Sequence, residues 1–476
     1  MCRVTARRTV WLACVVAVLH GALFTWYQKP DWQTQWTDQE GYSRLATALS
    51  TTGRFTPYPD NPRFIPEVIR TPAYPAFLAV LYTCFGQDQL YVAAAQTGLF
   101  VLVCLLVFAI ARRVTTDQIA GAAALATALF PPIPYFGALV MTEVFTTLLF
   151  TASMWFAIRT LDEHNAATGA YLGFGVFCAL TTLSRPAFML FPILWAGIAL
   201  FVLPLIRIRT PITMRRVAIA LAAFAIVMLP WFAYNYVNVG RFTLSPAGGL
   251  GRGTWEGSWQ GVWPGRLQAE LTGLADNVHD RPELDRQVAG VAGRERLPAE
   301  PMLEYVHQWK DLHQIWDAPT DPYERTLARV TADRAYLAVG LENLGRVGPA
   351  HQFVRMARGA VILWAGEIPF RYSDINRLPP ALIRFCWLIQ VVLFAAALIG
   401  ATALFRVSPA AACMLGAPIV YVTAVHVPLL TEARQSLPAQ PVLLILATLG
   451  AAYLLGWPAT RSSLAFEPQV HERQHL

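Results

Sequence analysis

Charge is scarce in this chain. Only 14% of its 476 residues are charged, where a soluble domain carries about a quarter. That shortage excludes an ordinary water-soluble globule, because a wet surface demands charge and a hydrocarbon core rejects it. Lysine is nearly missing: Lys29 and Lys310 are the only two among 37 basic residues. The formal net charge of +7 is therefore almost all guanidinium. Its placement follows membrane topology rather than a nucleic-acid face, so no nucleic-acid partner is expected. The seven cysteines form no CxxC pair and no Cys/His ligand spacing, and most lie in apolar runs as packed thiols. A zinc knuckle and a disulfide framework are both excluded. Solenoid repeats and low-complexity linkers are also lacking.

What is present is apolar: 55% of residues are hydrophobic, and the mean hydropathy is +0.42. The expected fold class is an all-α polytopic membrane protein. About ten runs are long enough to cross a hydrocarbon core of about 30 Å. They lie near 9–27, 89–111, 117–136, 140–158, 168–184, 186–206, 215–236, 382–405, 408–428 and 437–458. The first follows a basic start, Met1–Arg8, and ends in Trp26 and Tyr27 with no small-residue cleavage site. It is expected to be a retained span rather than a signal peptide. The run Pro75–Phe85 is too short to cross and is placed as an interfacial helix.

Arginine placement sets the orientation. With the N-terminus inside, the inner connections carry Arg112, Arg113, Arg159, the Arg207–Arg216 cluster and Arg406. An extra crossing at Pro75–Phe85 would invert every later assignment. Both termini are thus expected to be cytoplasmic, in a bacterial inner membrane. The chain divides into a membrane module with a first outer loop (1–236, loop 28–88), a large outer segment (237–380) and C-terminal spans with a tail (381–476).

The first outer loop opens with a short amphipathic helix over 36–49, with Tyr42, Leu45, Ala46 and Leu49 on one face. Thr37 and Glu40 fit a capping box, and Asp38 falls at the first helical position, where the helix dipole favours a carboxylate. Such a group just above the membrane suits an acid–base role toward an acceptor hydroxyl; Glu40 is the weaker candidate. Arg70 stands at headgroup level, where a guanidinium pairs with phosphate through two parallel bonds. Glu143 lies at the outer end of an apolar run and Arg185 in a tight outer hairpin. Trp255, Trp259 and Trp263 recur every four residues in the large outer segment. They are expected to form an interfacial aromatic belt rather than a carbohydrate platform. Helices are expected over 325–340 and, lying on the membrane, over 354–365.

Read in order, Asp38-x-x-x-Tyr42, the Thr52–Phe55 turn, Arg70-Thr-Pro-Ala-Tyr-Pro75 and Phe85-Gly86 resemble the GT-C glycosyltransferases, in the branch like the dolichyl-phosphate-mannose–protein mannosyltransferases. That branch includes aminoarabinose and lipopolysaccharide-core transferases. The resemblance implies a GT-C helical bundle with interfacial helices on its outer loops. It also implies inverting transfer of a sugar from a polyprenyl-phosphate donor to a lipid, glycan or protein acceptor. Asp38 matches the acidic residue of the first loop. Arg70, Arg185 and Arg434 are the candidates to bind the donor phosphate and stabilise it as it leaves, with Tyr42, Tyr74, Glu143, Asn235 and Glu432 in support. Two positions depart from the pattern. Tyr234 stands where arginine is common, with Arg241 as the nearby substitute, and Gln435 replaces a tyrosine. No cofactor is required; a divalent ion is compatible, but no spacing demands one. The competing readings are a lipid-linked-sugar transporter or flippase, and a non-catalytic envelope assembly protein. Both leave the acidic-plus-arginine set at one membrane face unexplained.

Overall fold

The computed structural model describes residues 2–32, 37–162, 168–365, 368–370 and 378–457. All regular structure among them is helical. Seven helical segments are long and apolar enough to cross a membrane: Ala6–Gln28, Gln89–Val114, Pro186–Leu205, Met214–Val239, Pro380–Val407, Pro409–His426 and Ala433–Leu454. The other three expected spans are helices too, but shorter. They are α5 (Asp117–Ala128), α7 (Glu143–Arg159) and α8 (Thr168–Ser184). At about 1.5 Å per residue, α5 reaches only about 18 Å. The chain behind it explains why: Pro131, Pro132 and Pro134 break the helix and restart it as the short α6, Pro132–Gly137. The apolar run continues where the helix does not.

The ends of these elements have local causes. In α1 (Cys2–Gln28) the apolar run sets the length. In α4 (Gln89–Val114) the Asp88 carboxylate accepts from the Leu90 N–H at 2.8 Å and starts the helix. The helix α11 (Met214–Val239) stops at Gly240, whose φ of 67° is left-handed. The helices α2 (Thr37–Thr52) and α3 (Ala73–Phe85) pack against each other through the face expected from periodicity. Leu45 and Ala46 are fully buried, and Tyr42 and Leu49 lean on Tyr74, Leu78 and Tyr82. One core then joins residues from both ends of the chain, from α1, α4, α5 and α7 to α18 (Pro380–Val407), α19 (Pro409–His426) and α20 (Gln440–Leu454). The closest approach in this core uses glycine. A Cβ on Gly400 of α18 would lie 1.9 Å from the Leu446 carbonyl oxygen of α20.

Residues 250–364 fold into their own helical layer: α12 (Leu250–Trp259), α13 (Gly265–Asn277), α14 (Arg281–Glu295), α15 (Ala299–Asp317), α16 (Pro322–Arg346) and α17 (Pro349–Trp364). Here one expectation is corrected. Trp255, Trp259 and Trp263 form no interfacial belt; they are 1%, 7% and 8% exposed and sit at the centre of a second core. Trp255 stacks on Tyr305 (centroids 5.8 Å apart), and Trp259 on Trp263 (5.5 Å). The indole N–H groups of Trp255 and Trp259 both donate to Gln308 Oε1, at 2.9 and 3.1 Å. A four-residue period places rings on one helix face. It does not say whether that face meets headgroups or other helices.

Candidate active site

Asp38 projects from the first turn of α2 and is 43% exposed. The cap expected from Thr37 lies outside the described side chains. Glu40 pairs instead with Arg44, one turn along the same helix, which removes it from the chemistry. Arg70 reaches Asp38 from the loop before α3, with Nη2 3.3 Å from Oδ1. Its backbone is fixed by Glu67, a residue carrying no motif signal. Buried Glu67 accepts from the N–H groups of Ile69 (2.6 Å) and Arg70 (2.9 Å). The Arg70 guanidinium carbon lies 5.3 Å from the Tyr42 ring centre, a cation–π contact. Burial, and after it the Asp38 charge, push the Tyr42 hydroxyl up to about 12. Tyr42 therefore stays a neutral phenol at any working pH.

The α2 backbone leaves Arg70 its seat. A Cβ on Gly41 would lie 2.2 Å from the Arg70 Cζ. Gly41→Ala is expected to leave the fold intact, because a side-chain end can move, while pushing Arg70 off Asp38. Donor affinity should weaken roughly tenfold, the scale of a charge-assisted hydrogen bond. Adding Arg70→Ala to that variant should cost little more. A Gly41→Ala enzyme with normal donor KM would show that the seat has no functional role.

The second carboxylate is Glu143, at the start of α7 and only 1% exposed. Arg185 Nη2 donates to its Oε1 at 2.9 Å, and Arg434 Nη1 stands 3.7 Å from the same oxygen. Glu143 Oε2 is buried without a hydrogen-bond partner. A buried carboxylate is tolerated here because two guanidinium groups face it. Arg434 also lies 3.8 Å from Asp38 Oδ2, and its Nε donates to Glu432 at 2.8 Å. A capping box between Glu432 and Gln435 fixes the 3-10 turn Ala433–Ala439 that carries it. Gln435, the departure from the tyrosine pattern, thus has a structural task. Arg70, Asp38, Arg434, Glu143 and Arg185 form one continuous chain of ion pairs from five separate stretches of sequence.

The remaining expected residues divide. Tyr74 is buried, edge-on to Tyr42 at 5.2 Å, and donates to Gln96 at 3.3 Å. Gln96 in turn donates to the carbonyls of Gly137 and Leu139. Gln39 accepts from the Val140 N–H at 3.0 Å, so the outer turn before Glu143 is tied to α2 as well. Asn235 does not join the ion-pair chain. It donates to the Thr243 carbonyl at 2.7 Å and clasps the end of α11. Tyr234, at the position expected for arginine, stacks on Trp231 and donates to the Phe55 carbonyl at 2.9 Å. It braces the Thr52–Phe55 turn. Arg241 enters none of these pairs among the described residues.

The outer layer supplies a residue that the sequence pattern hides. Arg252 on α12 donates to Glu256 at 2.7 Å. Burial pulls its pKa down, but Glu256 outweighs that and the net push is upward, with Asp38 close enough to add to it. An Arg–Glu pair one helical turn apart is common on any surface helix, so nothing in the sequence marks it. The same helix abuts the Arg434 turn at backbone level. The Leu430 N–H donates to the Gly253 carbonyl at 3.0 Å, and Gln260 exchanges two hydrogen bonds with the Thr431 backbone (2.6 and 2.9 Å). Buried Arg355 donates to the carbonyls of Gly257 and Pro428. A Cβ on Gly257 would lie 2.5 Å from the Leu429 carbonyl carbon, which is backbone and cannot swing aside. Gly257→Ala should therefore destabilise the protein by about 1–3 kcal/mol, read as a lower melting temperature in detergent. An unchanged melting temperature would mean that this seam is loose.

Residues 69–231 match the profile of the dolichyl-phosphate-mannose-protein mannosyltransferase family; the stretch contains Arg70, Tyr74, Glu143 and Arg185. No curated protein matches the chain. Among solved structures, it is similar to the Archaeoglobus fulgidus oligosaccharyltransferase tethered to an acceptor peptide. There the TM-score is 0.53 at 14% identity, over 94% of this chain and 50% of that one. The archaeal oligosaccharyltransferase AglB from the same organism, in complex with an inhibitory peptide and a dolichol-phosphate, gives 0.51 at 14%, over 94% and 50%. ArnT from Cupriavidus metallidurans bound to undecaprenyl phosphate gives 0.39 at 15%, over 94% and 77%. The chain spans about half the length of the oligosaccharyltransferase structures it matches. Residues 69–231 thus resemble the dolichyl-phosphate-mannose-protein mannosyltransferase family, and the helical fold of the chain is similar to that of the oligosaccharyltransferase structures.

Proposed function

We propose that the protein transfers a sugar from a polyprenyl-phosphate donor to a lipid, glycan or protein acceptor at the extracytoplasmic face of a bacterial inner membrane. The observation that carries this reading is the position of Asp38: half-open to solvent and flanked by Arg70 and Arg434. Its two contacts, at 3.3 and 3.8 Å, are looser than the 2.9 Å bond between Arg185 and Glu143. A donor phosphate can replace Asp38 between the two arginines and leave the carboxylate facing the acceptor. The acceptor oxygen then attacks the anomeric carbon from the side opposite the phosphate. The bond from that carbon to the phosphate oxygen breaks, its electron pair stays on the phosphate, and Asp38 takes the acceptor proton. The sugar carbon is inverted. Arg70 and Arg434 face the growing phosphate charge. Arg185 acts one step back, by holding Glu143 against Arg434.

In this reading no cofactor is required, because each carboxylate here already faces a guanidinium, and a divalent ion stays compatible with the site. Ten crossings with both termini inside agree with arginines at the ends of α4 and α7 remote from this site. The test is turnover of a panel of lipid-linked sugars by the purified protein, with release of polyprenyl phosphate as readout. One donor should be consumed with an acceptor present, and a chelator should leave the rate unchanged. A protein that moves lipid-linked sugars across vesicles but never cleaves them would overturn the proposal in favour of a flippase.

A further inference from the structure

At the end of the bundle remote from Asp38, a cleft of about 360 Å³ opens between the start of α1, the end of α4 and the start of α5. Gln89, which faces the outer turn through the Ala138 carbonyl, and Arg112, which lines the cleft, stand about 35 Å apart along α4. The cleft is thus a membrane thickness from the ion-pair chain. Its walls include Arg7, Val10, Trp11, Phe108, Arg112 and Asp117. Asp117 holds the Arg112 guanidinium through Nε at 3.1 Å, and the Phe108 ring lies 5.6 Å beneath it. That fixes a planar donor fork at the mouth of the cleft. Arg7 is exposed and makes no ion pair among the described residues. The lining carries two guanidiniums and one carboxylate, a basic setting that suits a phosphodiester. From the cleft, exposed Trp11, Val15 and Leu19 continue along α1 into the span, at 64%, 51% and 62% exposure.

We propose that this cleft is a binding site for one anionic phospholipid of the leaflet opposite the active site. Arg7 and Arg112 would hold its phosphate, and an acyl chain would lie along α1. Solvated arginines at a helix end need no concavity and no fixed partner. A phosphate with a hydrocarbon tail needs both a charged fork and an apolar wall, and here they adjoin. A free anion would use the fork alone.

The test is native mass spectrometry of the full chain in detergent with added phosphatidylglycerol or phosphatidylcholine. One phosphatidylglycerol should be retained in preference to phosphatidylcholine. The double variant Arg7→Gln/Arg112→Gln should lose about tenfold in that retention, from two arginine contacts near a charged headgroup. Equal retention of the two lipids, or undiminished retention by the double variant, would overturn the proposal. So would displacement of the lipid by millimolar inorganic phosphate, which would identify a simple anion site. The single variants Arg7→Gln and Arg112→Gln, each carrying part of the loss at wild-type melting temperature, separate lost binding from misfolding. None of these readouts depends on glycosyl transfer.

Discussion

Asp38→Asn should abolish detectable sugar transfer, lowering kcat by about 10²–10⁴-fold, the usual contribution of a positioned base. Asparagine keeps the size of the side chain and can still accept a hydrogen bond from Arg70, but it cannot take a proton. The fold should not notice. Asp38 is 43% exposed, its ion pairs are loose, and the buried packing of α2 runs through Leu45 and Ala46, about two turns further along the helix. Melting temperature and donor binding should therefore stay at wild-type values while turnover disappears. Wild-type turnover in Asp38→Asn would end the assignment of this carboxylate as the base. Glu40→Gln is the control: its partner is Arg44, and activity should be retained.

Arg434→Ala should be the most damaging of the arginine changes, because this side chain touches all three carboxylates of the site. Two losses are expected together. Removing a preorganised contact to the leaving phosphate should cost about 10²–10³ in kcat. Glu143, 1% exposed, would be left with Arg185 alone, and breaking a buried pair costs on the order of 3 kcal/mol. The two effects can be separated. Adding Glu143→Gln should restore much of the melting temperature, since the stranded charge is removed, without restoring transfer. Arg434→Lys should keep part of the stability but not the two-pronged phosphate contact. An Arg434→Ala enzyme with normal kcat and donor KM would exclude this residue from the reaction.

The parts of the site that were legible in the sequence are those whose chemistry is unusual for their setting. An aspartate at a helix start above a membrane, a glutamate in an apolar run and an arginine in a tight hairpin each stand out against 55% hydrophobic residues. Apolar run length located the seven helices long enough to cross a membrane, but not the early stop of α5, because proline pairs end a helix without ending hydrophobicity. Glu67, Gln39 and Gln96 were not legible. Each binds backbone groups near in space and, for the two glutamines, far in sequence, and a backbone partner leaves no mark on composition. Asn235 shows the reverse case: a motif position whose side chain closes a local clasp. The outer tryptophans had the right period and the wrong neighbour. Arg252 was invisible because its nearness to the site comes from where α12 docks, and docking of a separate helical layer is not written in any one helix.

The contact of α12 with the residues before Arg434 constrains how this enzyme can be rebuilt. Gly253 and Gly257 meet residues 429–430 main chain to main chain, and the Gln260 side chain clasps the Thr431 backbone beside them. A chimera that imports the outer helices of a relative to change acceptor choice would shift Arg434 unless residues 427–436 came from the same parent. Under the proposed function, changes in α12 and in the Arg434 turn would therefore travel as a pair, through a strip of backbone a few residues long.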